Sequence, residues 1–195
     1  FRNTVNSNYG TAVCATISGT SISFGSLHVF QSVSATYIGS AYNSNAGKTI
    51  TVYQNSTANR GYGAILTVSG TSVTSAGQDS INTTQIGTLA ATYNVAADKV
   101  VVAYNDIAAG ELYLNEITVA AGGGSFTASA IAVSPSVSID NTPQTVTAAY
   151  DSLAKKVVFN YLANSSLNNA QLRTTAFTET NYTDFVGITD EAISS

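Results

Sequence analysis

The sequence holds no tryptophan and no methionine, only two prolines, one cysteine and one histidine, and just seven basic and eleven acidic residues in 195. Each scarcity excludes something. A single thiol, Cys14, closes no internal disulfide framework and builds no thiolate metal cluster. Set in Thr-Ala-Val-Cys-Ala-Thr-Ile, it reads as a small buried strand residue. A net charge of −4, a pI near 4.6 and the lack of any basic run argue against nucleic-acid binding. No stretch approaches the roughly 18 apolar residues of a membrane span, and Phe1 to Tyr9 lacks the layout of a signal peptide. The chain opens on Phe rather than Met, so we expect the mature or visible part of a longer polypeptide.

Charged residues make up 9% of the chain, where a globular domain carries about a quarter. Ser, Thr and Asn replace them. These residues solvate a surface but compete with the helix backbone for hydrogen bonds, so helix is disfavoured.

What the chain has in abundance is self-similarity. Ala41-Tyr42-Asn43, then Lys48 and Thr-Ile-Thr-Val-Tyr53, recurs as Thr92-Tyr93-Asn94, Lys99 and Val-Val-Val-Ala-Tyr104. It returns as Ala149-Tyr150-Asp151, Lys156 and Val-Val-Phe-Asn-Tyr161. A second landmark places Thr16, Thr67, Thr118 and Thr175 at one point of each unit, and Ile17-Ser18-Gly19-Thr20 nearly repeats as Val68-Ser69-Gly70-Thr71. From this Thr to the landmark Tyr is 26 residues in the first two units and 32 in the third. The third unit therefore holds a six-residue insertion, at Gly122-Gly123-Gly124 or between Ser134 and Pro143.

The spacing predicts an all-β protein of tandem four-stranded antiparallel units of about 51 residues, β-propeller-like, with stacked sheets or a β-sandwich as the alternative. In the first unit the strands are expected at Thr11 to Ser18, Ser21 to Phe30, Ala35 to Tyr42 and Lys48 to Gln54, joined by turn-forming clusters. The divisions are 1–9, the end of a preceding repeat; 10–61, 62–110 and 111–166, three repeats; and 167–195, a partial fourth repeat and tail. Both faces of the fourth strands are partly apolar, as when each sheet is packed between neighbours. Recurrence of Tyr42, Tyr93 and Tyr150, and of Tyr53, Tyr104 and Tyr161, at equivalent points reads as packing rather than sugar binding.

Catalytic chemistry finds little material. His28 has no Gly-x-Ser-x-Gly elbow to serve, and with one Cys and no acidic spacing motif it makes no zinc site. Asp106, Glu111 and Glu116 cluster, but Glu111 and Glu116 have odd spacing on one strand and point to opposite faces, a poor glycosidase pair. Arg2, Arg60 and Arg173 have no accompanying Asp-box turns of the sialidase kind. Calcium would want more convergent oxygens than Asn105-Asp106 and Asp140-Asn141 offer. Glycosylation triplets at Asn55, Asn82, Asn164 and Asn181 are what so Asn-, Ser- and Thr-rich a chain produces by chance. We expect no enzyme, cofactor or metal.

Tyr9-Gly10-Thr11-Ala12-Val13, Ile17 to Gly25, Ser34-Ala35-Thr36-Tyr37 and Asp98 to Asp106 resemble repeat modules of structural and tail-fibre proteins of tailed bacteriophages. Asn181 to Ser194 is similar to the junction that follows such repeats. The resemblance implies a virion-surface or extracellular component, non-enzymatic, structural or adhesive, in contact with host glycans. A bacterial cell-surface or secreted propeller lectin or filament subunit is the alternative, and a glycan-cleaving tailspike the remotest. Modules of that kind often end a strand in Tyr-Arg-Asp, and no copy here keeps it whole: the positions read Phe1-Arg2-Asn3, Tyr53-Gln54-Asn55, Tyr104-Asn105-Asp106 and Tyr161-Leu162-Ala163, so no binding by these residues is held identical across the copies. The candidate surface-binding loops are those of Arg60, Asn105 and Asp106. Phe1-Arg2-Asn3 aligns with Tyr53-Gln54-Asn55, so strand edges and end faces are expected to be covered by copies of the same chain or by further parts of a longer polypeptide.

Overall fold

The computed structural model describes residues 1–119, 126–132, 145–164 and 170–177. Among them the structure is all β, with no helix, and hence none long and apolar enough to cross a membrane. The expected insertion sites and the junction at Asn181 to Ser194 lie outside the described residues.

Every strand pairing is antiparallel. β1 (Arg2–Asn3) pairs with β2 (Tyr9–Ala12), and β2 with the first half of β5 (His28–Asn43). The second half of β5 starts a new sheet with β6 (Lys48–Asn55), β7 (Arg60–Ser69) and β8 (Ser72–Asn82). The next sheet runs β9 (Ile86–Asn94), β10 (Lys99–Asp106), β11 (Glu111–Val119) and β12 (Phe126–Ala132), and the last β13 (Val146–Asp151), β14 (Lys156–Asn164) and β15 (Ala170–Phe177). We number these sheets one to four. β9, β10 and β11 begin at Ile86, Lys99 and Glu111, each 51 residues after Ala35, Lys48 and Arg60. The sheets are cut half a unit out of phase with the sequence divisions. Sheets two and three each join the last two strands of one repeat to the first two of the next.

Two expected strands are broken. Thr11 to Ser18 splits into β2 and β3 (Ala15–Ser18), and Ser21 to Phe30 into β4 (Ser21–Phe24) and the start of β5. β3 and β4 form a separate hairpin whose Ile17, Ile22 and Phe24 are exposed. The break in the second strand falls at Gly25, where a Cβ would lie 1.9 Å from the Thr71 carbonyl oxygen. Only glycine admits so close a passage past the β7–β8 turn.

Because successive side chains alternate, each middle strand feeds two cores. From β6, Tyr53 packs with Phe30, Ala35 and Leu66 between sheets one and two, while Ile50 and Val52 turn to sheet three. On β10, Val100, Val102 and Tyr104 meet Ile50 and Val52, and Val101 and Ala103 join Val157, Phe159 and Tyr161 of sheet four. The expected equivalence of Tyr53, Tyr104 and Tyr161 holds, at 0%, 1% and 2% exposure. That of Tyr42, Tyr93 and Tyr150 holds in strand position but not in surroundings. Tyr93 and Tyr150 pack against cores, whereas Tyr42 is 58% exposed, since sheet one has no strand opposite it.

The buried tyrosine hydroxyls of sheets two and three are paired. Gln31 Nε2 donates to the Tyr53 hydroxyl (2.9 Å), which donates to Gln78, and Gln78 Nε2 donates to the Phe30 carbonyl. One repeat on, the Tyr104 hydroxyl donates to Asn115 Oδ1 (3.2 Å), and Asn115 Nδ2 donates to the carbonyl of Ile81, the counterpart of Phe30. Gln78 and Asn115 sit on different strands but do the same work. Each amide ties the buried Tyr of one sheet to the outer strand of the sheet before it.

The hairpin turns follow one recipe. Asn43, Asn94 and Asp151 at the ends of the first strands accept backbone N–H groups of the turn through Oδ1, as do Asn3, Asn55 and Asp106 at the ends of the second. Most of the turns close on a left-handed residue: Gly47, Asn59, Asp98, Gly110 and Lys155. Lys155, at φ 54°, is the one among these with a long side chain and no local hydrogen-bonding advantage.

Two outcomes are expected. Lys155→Gly should stabilise the protein by up to about 1 kcal/mol in chemical denaturation, because the left-handed cost disappears while the turn amides stay capped by Asp151. Burial pushes the Tyr53 hydroxyl up to about 12, against the partial opposition of the Gln31 hydrogen bond. A raised folded-state value stabilises the protein fully below the unfolded value near 10 and is lost as pH climbs from 10 through 12. Thermal melts across this range should fall steeply, and less steeply for Tyr53→Phe.

Candidate functional site

Of the expected binding residues, Arg60 lines a groove at one rim of the sheet stack, where turns joining second to third strands follow one another, and Asp106 lies beneath it. Residues 56–59 form this turn in sheet two and 107–110 in sheet three. Between them passes the connector 83–85, which carries the chain from β8 to β9. Backbone bonds fix the layout: Ile107 N–H donates to the Gln85 carbonyl (3.0 Å), repeating the bond from Ser56 N–H to the Ser34 carbonyl (2.9 Å).

A groove of about 440 Å³ opens here, lined by Asn59, Arg60, Thr83, Thr84, Gln85 and Ile107 together with Ala58 and Ala108. Arg60 is exposed, and its guanidinium makes no ion pair or hydrogen bond among the described residues. The lining adds hydroxyl and amide groups and an exposed Ile107 side chain. One free cation, several neutral polar groups and a small apolar surface suit a hydroxylated ligand with an anionic group better than an apolar one.

Asp106 and Asn105 depart from the expectation of binding loops. Asp106 is 7% exposed and serves as a strut beneath the groove. Its Oδ2 accepts from Thr84 Oγ1 (2.6 Å) and Asn82 Nδ2 (2.8 Å), and its Oδ1 from the amides of Ala108 (2.9 Å) and Ala109 (3.1 Å). Burial alone would raise its carboxyl, but the hydrogen bonds from Thr84, Asn82 and the two amides outweigh it and hold the group below its ordinary value. Asn105 is 2% exposed, and its Oδ1 has no partner among the described residues. Its counterpart Gln54 accepts the N–H of Ile86 (2.9 Å). In the sequence, the position matching Ile86 one repeat on is Pro143, which has no N–H to donate.

The other candidates are scattered. His28 Nε2 lies 2.9 Å from Ser75 Oγ, and partly buried Cys14 directs Sγ towards the Gly70 carbonyl at 3.6 Å. Glu116 is buried in an ion pair with Lys99 at 2.8 Å, while Glu111 lies on the opposite face of β11. No group of three or more metal-ligating side chains occurs among the described residues. Sequence reasoning missed Thr83, Thr84, Gln85 and Ile107. The 51-residue offset relates 32–34 to 83–85 and the two turns to each other, but only the phase of the sheets shows that connector and turns adjoin.

No protein-family model and no curated protein matches the chain.

Replacing Asp106 by Ala removes four hydrogen bonds and should cost about 2–3 kcal/mol in denaturant unfolding. The depressed carboxyl stabilises the fold above the unfolded value near 3.8 and ceases to do so as pH falls through its lower folded value. Asp106→Asn should therefore flatten the acid limb of a stability–pH curve, and an unchanged limb would show that the strut carries no charge-dependent stability.

Proposed function

We propose that the chain is a non-catalytic structural or adhesive module of a virion surface, of the phage-fibre type, and that it holds acidic host-surface glycans at the rim groove beside Arg60. The observation that carries this reading is the unpaired, exposed guanidinium set among Thr83, Thr84, Gln85 and Asn59. Arg offers a planar fork of donors to a carboxylate or sulfate, and the surrounding hydroxyls and amides match sugar hydroxyls. The buried Asp106 strut supports the reading, because it fixes the connector and turn that form the groove without presenting its own charge to the ligand.

The same reading takes each sheet as a blade. β9 lies against β5 on one side and β13 on the other, so the first strands of successive sheets are neighbours, as along the inner wall of a propeller. In it the chain forms a sector of repeated blades with its rim turns exposed.

A panel of immobilised glycans tests the site. Binding should favour uronic, sialic or sulfated sugars over neutral ones, weaken with salt, and fall at least about tenfold for Arg60→Ala, given the worth of a charge-assisted hydrogen bond. The sugar should be recovered uncut in a reducing-end assay. Equal binding of neutral sugars, indifference to Arg60→Ala, or release of reducing ends would each contradict the proposal.

A further inference from the structure

At the other ends of these strands from Arg60, the turns joining first to second strands follow one another, and a carboxylate ties two of them together. Asp98, in the turn of sheet three, accepts through Oδ2 from Asn45 Nδ2 (2.7 Å) in the turn of sheet two, and through Oδ1 from the Tyr93 hydroxyl (2.8 Å). Together with a hydrogen bond from the Asn43 side chain, these hold its carboxyl below its ordinary value. The landmark spacing aligns Asn43 with Asn94, Tyr93 with Tyr150 and Lys99 with Lys156, and therefore Asp98 with Lys155. β13 lies against β9 as β9 lies against β5. Two of the three donors around the carboxylate thus recur between sheets three and four, with Ala96 in place of Asn45, and the carboxylate itself does not recur.

Asn94 records the loss. It is 1% exposed, and its Oδ1 accepts the amides of Ala96 (3.1 Å) and Ala97 (3.2 Å), which fixes the side chain. Its Nδ2, the counterpart of the Asn43 group that meets Asp98, is buried with no hydrogen-bond partner, a costly state for a donor. Lys155 is exposed and makes no ion pair or hydrogen bond among the described residues. Asp151, the carboxylate of the same turn, uses Oδ1 to accept the amides of Leu153 and Ala154. We infer that the place between turns 95–98 and 152–155 is a seat for an incoming carboxylate, that of a small organic acid or an acidic sugar. Asn94 Nδ2 and the Tyr150 hydroxyl donate to its oxygens, and the Lys155 ammonium pairs with its charge. Where sheets two and three carry their own anion, sheets three and four offer a cation that attracts one. Lys155 stands in solvent on a long side chain, so it can move to admit the ligand. Its φ of 54° is one that Asp tolerates and Lys does not favour, so the exchange runs against local backbone preference. The inference rests on the repeat and on Asn94, and is independent of the groove by Arg60.

Nuclear magnetic resonance of the full chain follows the Asn94 side-chain amide and the backbone amides of both turns as sodium acetate, sodium glucuronate, glucose or sodium chloride is added at constant ionic strength. A carboxylate should move these signals saturably, and glucose and chloride should not. Preference for glucuronate assigns the seat to acidic sugars, and preference for acetate to free small acids. Asn94→Asp keeps the turn capped, as Asp151 caps its own, but replaces the donor by an acceptor; Lys155→Asp supplies the carboxylate from the chain itself. Each should weaken carboxylate binding at least about tenfold, read on the backbone amides, as loss of a charge-assisted hydrogen bond does. Lys155→Asp should also shift the Asn94 side-chain amide with no acid added. Arg60→Ala should leave the response intact, which separates this seat from the rim groove. An equal response to chloride, no saturable response to either carboxylate, or undiminished binding in Lys155→Asp would overturn the inference.

Discussion

A four-stranded sheet with apolar side chains on both faces has no stable existence alone, and that constraint shapes everything else in this protein. Ile50 and Val52 look one way from β6 and Tyr53 the other; Val100 and Val102 on β10 are opposed by Val101 and Ala103. Each sheet hides half its apolar surface only if a neighbour hides the other half. Repetition at a fixed period follows, because a sheet that fits its predecessor must offer its successor the same fit.

Packing of this kind leaves little room for charge, which accounts for a composition poor in Lys, Glu, Asp and Arg. Polarity between the layers is carried largely by neutral groups. The Tyr53 hydroxyl with Gln31 and Gln78, and the Tyr104 hydroxyl with Asn115, are satisfied without an ion. Charges appear where a turn or connector has to be held, as at Asp106, or paired across neighbouring strands, as in Lys99 of β10 with Glu116 of β11. The rim is then the place where a side chain such as Arg60 stands free.

The period, the four strands of the second and third units and the burial of Tyr53, Tyr104 and Tyr161 were legible in the sequence, since alternation and recurrence follow directly from the pleat. The phase of the sheets was not. A repeat read along the chain has no privileged starting point, and antiparallel pairing of β5 with both β2 and β6 decides which strands share a sheet. For the same reason the neighbours of Arg60 on the connector stayed hidden, and Asn105 and Asp106, polar and next to a turn, read as exposed although the strand end buries them. The interruption at Gly25 depends on the approach of the Thr71 carbonyl, a contact between residues far apart in sequence. The fate of Tyr42 depends on a strand missing opposite it, which no local pattern records.

Mutual support between sheets makes them one cooperative unit, and native-state amide exchange measured strand by strand tests that most directly. The account predicts that the buried amides of β6 and β10 exchange slowest and with a single common opening free energy, while the separate β3–β4 hairpin exchanges far faster. If β6 and β10 instead open independently, with free energies differing by several kcal/mol, the sheets are not held by one another and the account is wrong.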